Sequence, residues 1–154
     1  MESASEVILV VQALVVAMPA AWLSVGVIDN ILHPHINRDD VAKVLALEAL
    51  RDFPEIRSRL EHRAITNPAI VRLLFTVMVM AETISCVILW AGSACLFGAL
   101  FGFCDAVFAR EVAILGAASF LGVWASFLIG GQWFYYWYAQ LGQTTHFLAT
   151  LWGL

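Results

Sequence analysis

Three long stretches of this chain carry almost no charge, and six of its eight Lys and Arg residues are gathered in the single segment, 29–67, that separates the first stretch from the second. A helix advances only about 1.5 Å per residue, so about 20 apolar residues are needed to cross a hydrocarbon core of about 30 Å. Each stretch is near or above that length. Apolar residues make up 62% of the chain and charged residues 13%, far from the roughly half and quarter of soluble domains. A water-soluble domain of 154 residues could not hide so much apolar surface. The expected fold is therefore all-α: a membrane-spanning helical bundle in one integral domain, with the lipid bilayer as its first partner.

The first span is read as 7–28, interrupted only by Gln12, Pro19 and Ser24, which a helix in lipid absorbs because its backbone bonds are internal. A cleaved signal peptide is the alternative, but the opening Met-Glu-Ser-Ala-Ser-Glu lacks the positive charge such a leader needs. Asn67 followed by Pro68 predicts a capped start for the second span, 68–104, with Pro at a position whose N–H would be unpaired anyway. That run exceeds one bilayer, so it must tilt, project, or bend near Gly98 or Gly102. Asp105, Arg110 and Glu111 mark a polar turn, and a third span follows over 112–130. Trp133, Tyr135, Tyr136, Trp137 and Tyr138 have apolar bodies with polar edges, as in the belt of residues at headgroup level. Either the chain turns at Gly130-Gly131 and a fourth span runs over 132–154, which is the expected layout, or the third helix continues to Tyr138 and the remainder is too short to cross. The final Leu-Trp-Gly-Leu has no polar flank, as though further sequence followed.

Segment 29–67 reads as a helical cap. Asp39 is the expected N-cap of a helix through about Leu50, and Asp52 with Pro54 that of another through about Ala64. Glu55 with Arg59, and Arg57 with Glu61, are spaced to pair on its exposed face. Seven acids balance its six bases, so there is no nucleic-acid footprint. Lys and Arg alone place the cap in the cytoplasm, although its acids and length weaken that vote.

Asp29-Asn30, Val44-Leu45, Arg63-Ala64-Ile65 with Pro68, Glu82, Gly92, and Gly130-Gly131-Gln132-Trp133-Phe134 with Trp137 occur in an order that resembles the bacterial family described as predicted small integral membrane proteins, a domain of unknown function. The resemblance covers nearly the whole chain. Gln132 stands where that family usually has Glu, and Leu47-Glu48 where Met-Asp is more usual. It implies four helices in the bacterial inner membrane and implies no activity.

Small residues recur every fourth position at Ala13, Ala17 and Ala21; at Ala94, Gly98 and Gly102; and at Ala118, Gly122, Ser126 and Gly130. They are candidate ridges where another backbone approaches closely, either within the bundle or on a partner subunit. Glu82 is the only charged residue between Leu73 and Cys104. A mid-membrane carboxylate is costly, so it must be protonated, paired, or turned toward a polar cavity. Met78, Ser85 and Cys86 share its face, whereas Arg72 lies about 80° away. Gln12 and His146 are its candidate hydrogen-bond partners.

His33 and His35 could ligate a metal only with further ligands that no spacing specifies. A haem would need axial groups on facing helices, and only His146 is placed for that. Cys86, Cys95 and Cys104, nine apart on one presumed helix, should lie on alternating faces and be unable to bridge one another. No nucleophile-and-base set, phosphate loop or dinucleotide fingerprint is present. The expectation is a non-catalytic accessory subunit or assembly factor of a larger membrane complex, with no catalytic, cofactor or metal residues. A small proton- or ion-coupled transporter using Glu82 is the alternative, and a haem or quinone redox anchor comes after it.

Overall fold

The computed structural model describes residues 2–138 and 140–153, and those residues are helical nearly throughout. Six α-helices occur among them: α1 (Glu2–Leu32), α2 (Pro34–Leu45), α3 (Pro54–Leu60), α4 (Pro68–Ala99), α5 (Ala106–Trp133) and α6 (Gln140–Gly153). Three of them, α1, α4 and α5, are long and apolar enough to cross a membrane. The expected fourth span over 132–154 is not formed among the described residues. Gly130 and Gly131 do not break α5, since glycine inside a helix costs only about 1 kcal/mol. The chain instead turns at Tyr135, whose φ is 56°, and the 14 residues of α6 fall short of a bilayer.

Local chemistry sets the helix ends. Asn67 Oδ1 accepts the Ala69 N–H at 2.9 Å with Pro68 next to it, as the sequence predicts. Asp105 Oδ1 accepts the N–H groups of Val107 and Phe108, each at 2.9 Å. It caps α5 from Ala106, so Arg110 and Glu111 lie inside that helix rather than in a polar turn. α4 stops at Ala99 because Gly102 adopts φ 73°. Phe103 N–H then reaches Gly98 O at 2.9 Å and Gly102 N–H reaches Ala99 O at 3.3 Å, the paired bonds of a Schellman terminus with glycine in the left-handed position.

The chain packs as two compact units. Among the described residues, the first comprises 2–27, 81–123 and Gly153. Leu9, Ala13, Leu96, Ala109 and Ala113 form one buried apolar cluster in it. A Cβ on Gly92 would lie 2.7 Å from Ala113 Cα, and one on Gly116 would lie 3.0 Å from Leu89 Cα. These glycines are where α4 and α5 touch backbone to backbone, the packing available to helices in lipid.

Among the described residues, the second unit comprises 28–80, 124–138 and 140–152. Within it α2 begins at Pro34, ahead of the expected Asp39 cap, because proline presets the φ of a first helical residue. α3 likewise starts at Pro54 and ends at Leu60. Neither expected pair, Glu55 with Arg59 or Arg57 with Glu61, forms among the described residues. Lys43 pairs with Asp40 at 2.7 Å and Arg51 with Glu48 at 2.8 Å. The Asp40 hydrogen bond and charge raise the Lys43 pKa. Asn37 Nδ2 donates to Asn30 Oδ1 at 2.7 Å, and Ile65 N–H to Leu45 O at 2.9 Å.

Candidate functional site

On each long helix the inward residues alternate steps of four and three. Along α1 the seam is Leu9, Ala13, Val16, Ala20, Leu23, Val27 and Asn30; along α4 it passes Val71, Phe75, Glu82, Ser85, Leu89, Gly92 and Leu96. Steps averaging 3.5 keep one face in view, whereas a strict step of four rotates about 40° each time. The small-residue ridges show that rotation. Ala13 is buried, Ala17 half-buried and Ala21 exposed. Ala94 is exposed, Gly98 lies beside Cys104 and Phe103 at the end of α4, and Gly102 is past the helix. Ala118, Gly122 and Ser126 are exposed and Gly130 half-buried. The close helix approach falls at Gly92 and Gly116, not at the Gly98–Gly102 pair.

Glu82 lies on the α4 seam and is only 6% exposed. One turn on, Ser85 accepts a hydrogen bond from Ser119 Oγ at 3.1 Å, and farther along Ser93 Oγ donates to Ala13 O at 3.0 Å. Ser24 Oγ is bonded to Cys86 Sγ at 3.2 Å and accepts from Trp90 Nε1 at 3.0 Å. These polar groups tie α4 to its neighbours in the first unit. Gln12 Oε1, the acceptor expected for a protonated Glu82, takes Arg110 Nε at 3.3 Å. Arg110 is available for it because α5 begins at Ala106.

Cys104 also departs from expectation. Because α4 ends at Ala99, Cys104 is off the helix and hydrogen-bonds the thiol of Cys95, and desolvation raises its pKa. Both sulfurs pack against the Leu9–Ala13–Leu96 core. Their ninefold spacing does not separate them once the helix stops.

The aromatic run divides. Tyr136 is turned inward, 4% exposed, with its ring stacked on His146 at 5.6 Å and 21°. A Cβ on Gly131 would collide with that ring. Trp124 and Phe127 complete the nest, 5.6 Å and 5.1 Å from the imidazole. Burial lowers the pKa of His146 and raises that of Tyr136. Tyr138 packs on Phe53 at 4.7 Å, and Tyr135 lies 5.6 Å from Trp137.

Arg63 is the residue spacing could not have found. Its guanidinium carbon sits 4.1 Å above the Trp133 ring and 5.8 Å from that of Tyr135. Its Nη1 donates to Trp133 O at 3.3 Å, at the end of α5, where helical carbonyls lack internal partners and a cation is favoured. The sequence motifs around Arg63 and around Trp133 are thus neighbours in space.

The sequence model of a family described as predicted small integral membrane protein (DUF2165) matches residues 8–154. The chain belongs to this family. No curated protein and no solved structure matches it. This family member is an integral protein of the lipid bilayer, all-helical, with three candidate spans among the described residues. No group of three His, Cys, Asp or Glu residues arranged to hold a metal occurs among the described residues.

Proposed function

We propose that this protein is a non-catalytic membrane subunit or assembly factor of a larger complex in the bacterial inner membrane, held through an outward ridge of α5 and through its charged cap. The observation that carries the reading is that Ala118, Gly122 and Ser126 are exposed on one helix, and a Cβ on Gly122 meets nothing within 4 Å. A face left only to lipid has no need of small residues; a face meeting another backbone does. The serine bonds between helices fit the same reading, since they serve packing. Purification in mild detergent tests it: a stoichiometric larger partner should accompany the wild-type protein and be lost from Gly122→Leu. A lone protein that conducts ions would overturn it.

The buried position of Glu82 favours one second reading, a proton- or ion-coupled transporter in which that carboxyl takes up and releases protons. Glu82→Gln separates the two. An accessory subunit keeps its partner with this change, while proton flux in vesicles would stop in a transporter.

A further inference from the structure

We propose that the groove beside the end of α5 binds the phosphate of an anionic lipid headgroup, with Arg63 as the residue that holds it. The groove has a volume of about 570 Å³ and is lined by Arg63, Gln132, Trp133 and Tyr135 together with Ile129, Gly130 and Phe134. None of these carries a negative charge, so its walls are cationic overall.

Arg63 is half-buried, and no carboxylate pairs with it among the described residues. A guanidinium offers five N–H groups in a fork that fits phosphate. Here one contact goes to Trp133 O, and Nε is buried with no hydrogen-bond partner. Two aromatic faces and one helix end lessen the charge without neutralising it, and a partly buried cation calls for an anion.

Location selects the source of that anion. α5 is a candidate span ending at Trp133, and Ile129 and Trp133 beside the groove are 73% and 54% exposed. A groove at the end of a span, walled by an exposed apolar side chain and an indole, lies where acyl chains meet headgroups. The carbonyl end of α5 would repel an anion by itself, so the site depends on Arg63. The exposed Gln132 amide supplies a neutral donor on the same wall.

The test is lipid titration of the full-length protein in detergent, read by native mass spectrometry with phosphatidylglycerol and phosphatidylcholine in parallel. The wild type should prefer phosphatidylglycerol by roughly fivefold to tenfold, the advantage one basic side chain gives near a membrane surface. Arg63→Gln should abolish the preference, Arg63→Lys should keep part of it, and Arg72→Gln should leave it intact. Inorganic phosphate alone is the control for the other source: binding of phosphate that displaces phosphatidylglycerol would overturn the lipid assignment. Should Arg63→Gln not fold, weakening of the wild-type preference by rising salt takes its place. No preference in the wild type, or one unchanged by Arg63→Gln or by salt, would overturn the proposal.

Discussion

Gly92 and Ala113 meet so closely that a single added methyl on Gly92 would lie 2.7 Å from the Ala113 Cα. Neither backbone can yield without parting α4 from α5. Gly92→Ala should therefore destabilise the protein by about 1–3 kcal/mol, the cost of overpacking a fitted contact, and Gly92→Leu should leave little folded protein. Gly122, whose Cβ would meet nothing within 4 Å, should accept alanine within about 0.5 kcal/mol. Thermal unfolding in one detergent compares the variants, and equal losses at both positions would contradict the assignment of inner and outer faces.

Cys95 and Cys104 test the turn that ends α4. Their thiols are hydrogen-bonded, so a short bifunctional thiol reagent should join them within one chain and consume both. On an uninterrupted helix residues nine apart would be about 13 Å apart along the axis, out of reach of such a reagent. Peptide mapping after labelling reads the outcome, with Cys95→Ser as the control. Gly102→Val should reduce the cross-link, because a β-branched residue is strained at φ 73°.

His146 gives the fold a dependence on pH. Burial among Trp124, Phe127 and Tyr136 lowers its pKa, so the neutral imidazole is the form the fold prefers. The unfolded chain then takes up a proton more readily. Stability from this group is complete above the ordinary value of about 6.5 and is lost as pH falls through the lowered value. Melting curves at pH 7.5 and pH 5 should differ for the wild type and much less for His146→Phe.

The Gly131–Tyr136 contact predicts a larger effect than a helical glycine would ordinarily have. Alanine in place of glycine usually stabilises a helix by about 0.5–1 kcal/mol. Here its methyl collides with the Tyr136 ring, so Gly131→Ala should lower the melting temperature. Gly131→Ala in a Tyr136→Ala background should restore the ordinary gain. A stabilising Gly131→Ala in the wild type would contradict the inward seat of Tyr136.

Much of the architecture is legible in the sequence because lipid imposes a length and removes charge. Asn67-Pro68 marks the start of α4, and the apolar runs mark the three long spans, together with a fourth over 132–154 that does not form among the described residues. The inward seam is not legible by hydropathy, since Ile114 facing outward and Ala113 facing inward are both apolar. Strict fourfold spacing finds Ala13 but then rotates out to Ala21, because the packed faces repeat at 3.5 residues. Gly130-Gly131 looks like a break because glycine favours turns, yet the turn falls on Tyr135, a residue with no propensity for it. The meeting of Arg63 with Trp133 joins residues 70 positions apart, which no local pattern encodes. For Cys95 and Cys104, the position of the helix end decides everything, and it rests on one glycine.

This protein is dissolved in lipid, and along 112–116 α5 turns Ala113 and Gly116 toward α4 and Ile114 and Leu115 toward the acyl chains. Nitroxides placed singly along 112–116 of a cysteine-free protein in bilayers test it directly, through collisions with oxygen, which dissolves in lipid, and with a nickel chelate confined to water. Oxygen accessibility should be highest at Ile114 and Leu115, which are 68% and 58% exposed, and lowest at Ala113, 7% exposed, and at the buried Gly116. The chelate should reach none of them. Strong relaxation of Ile114 by the chelate, or uniform oxygen accessibility along the five positions, would contradict the account.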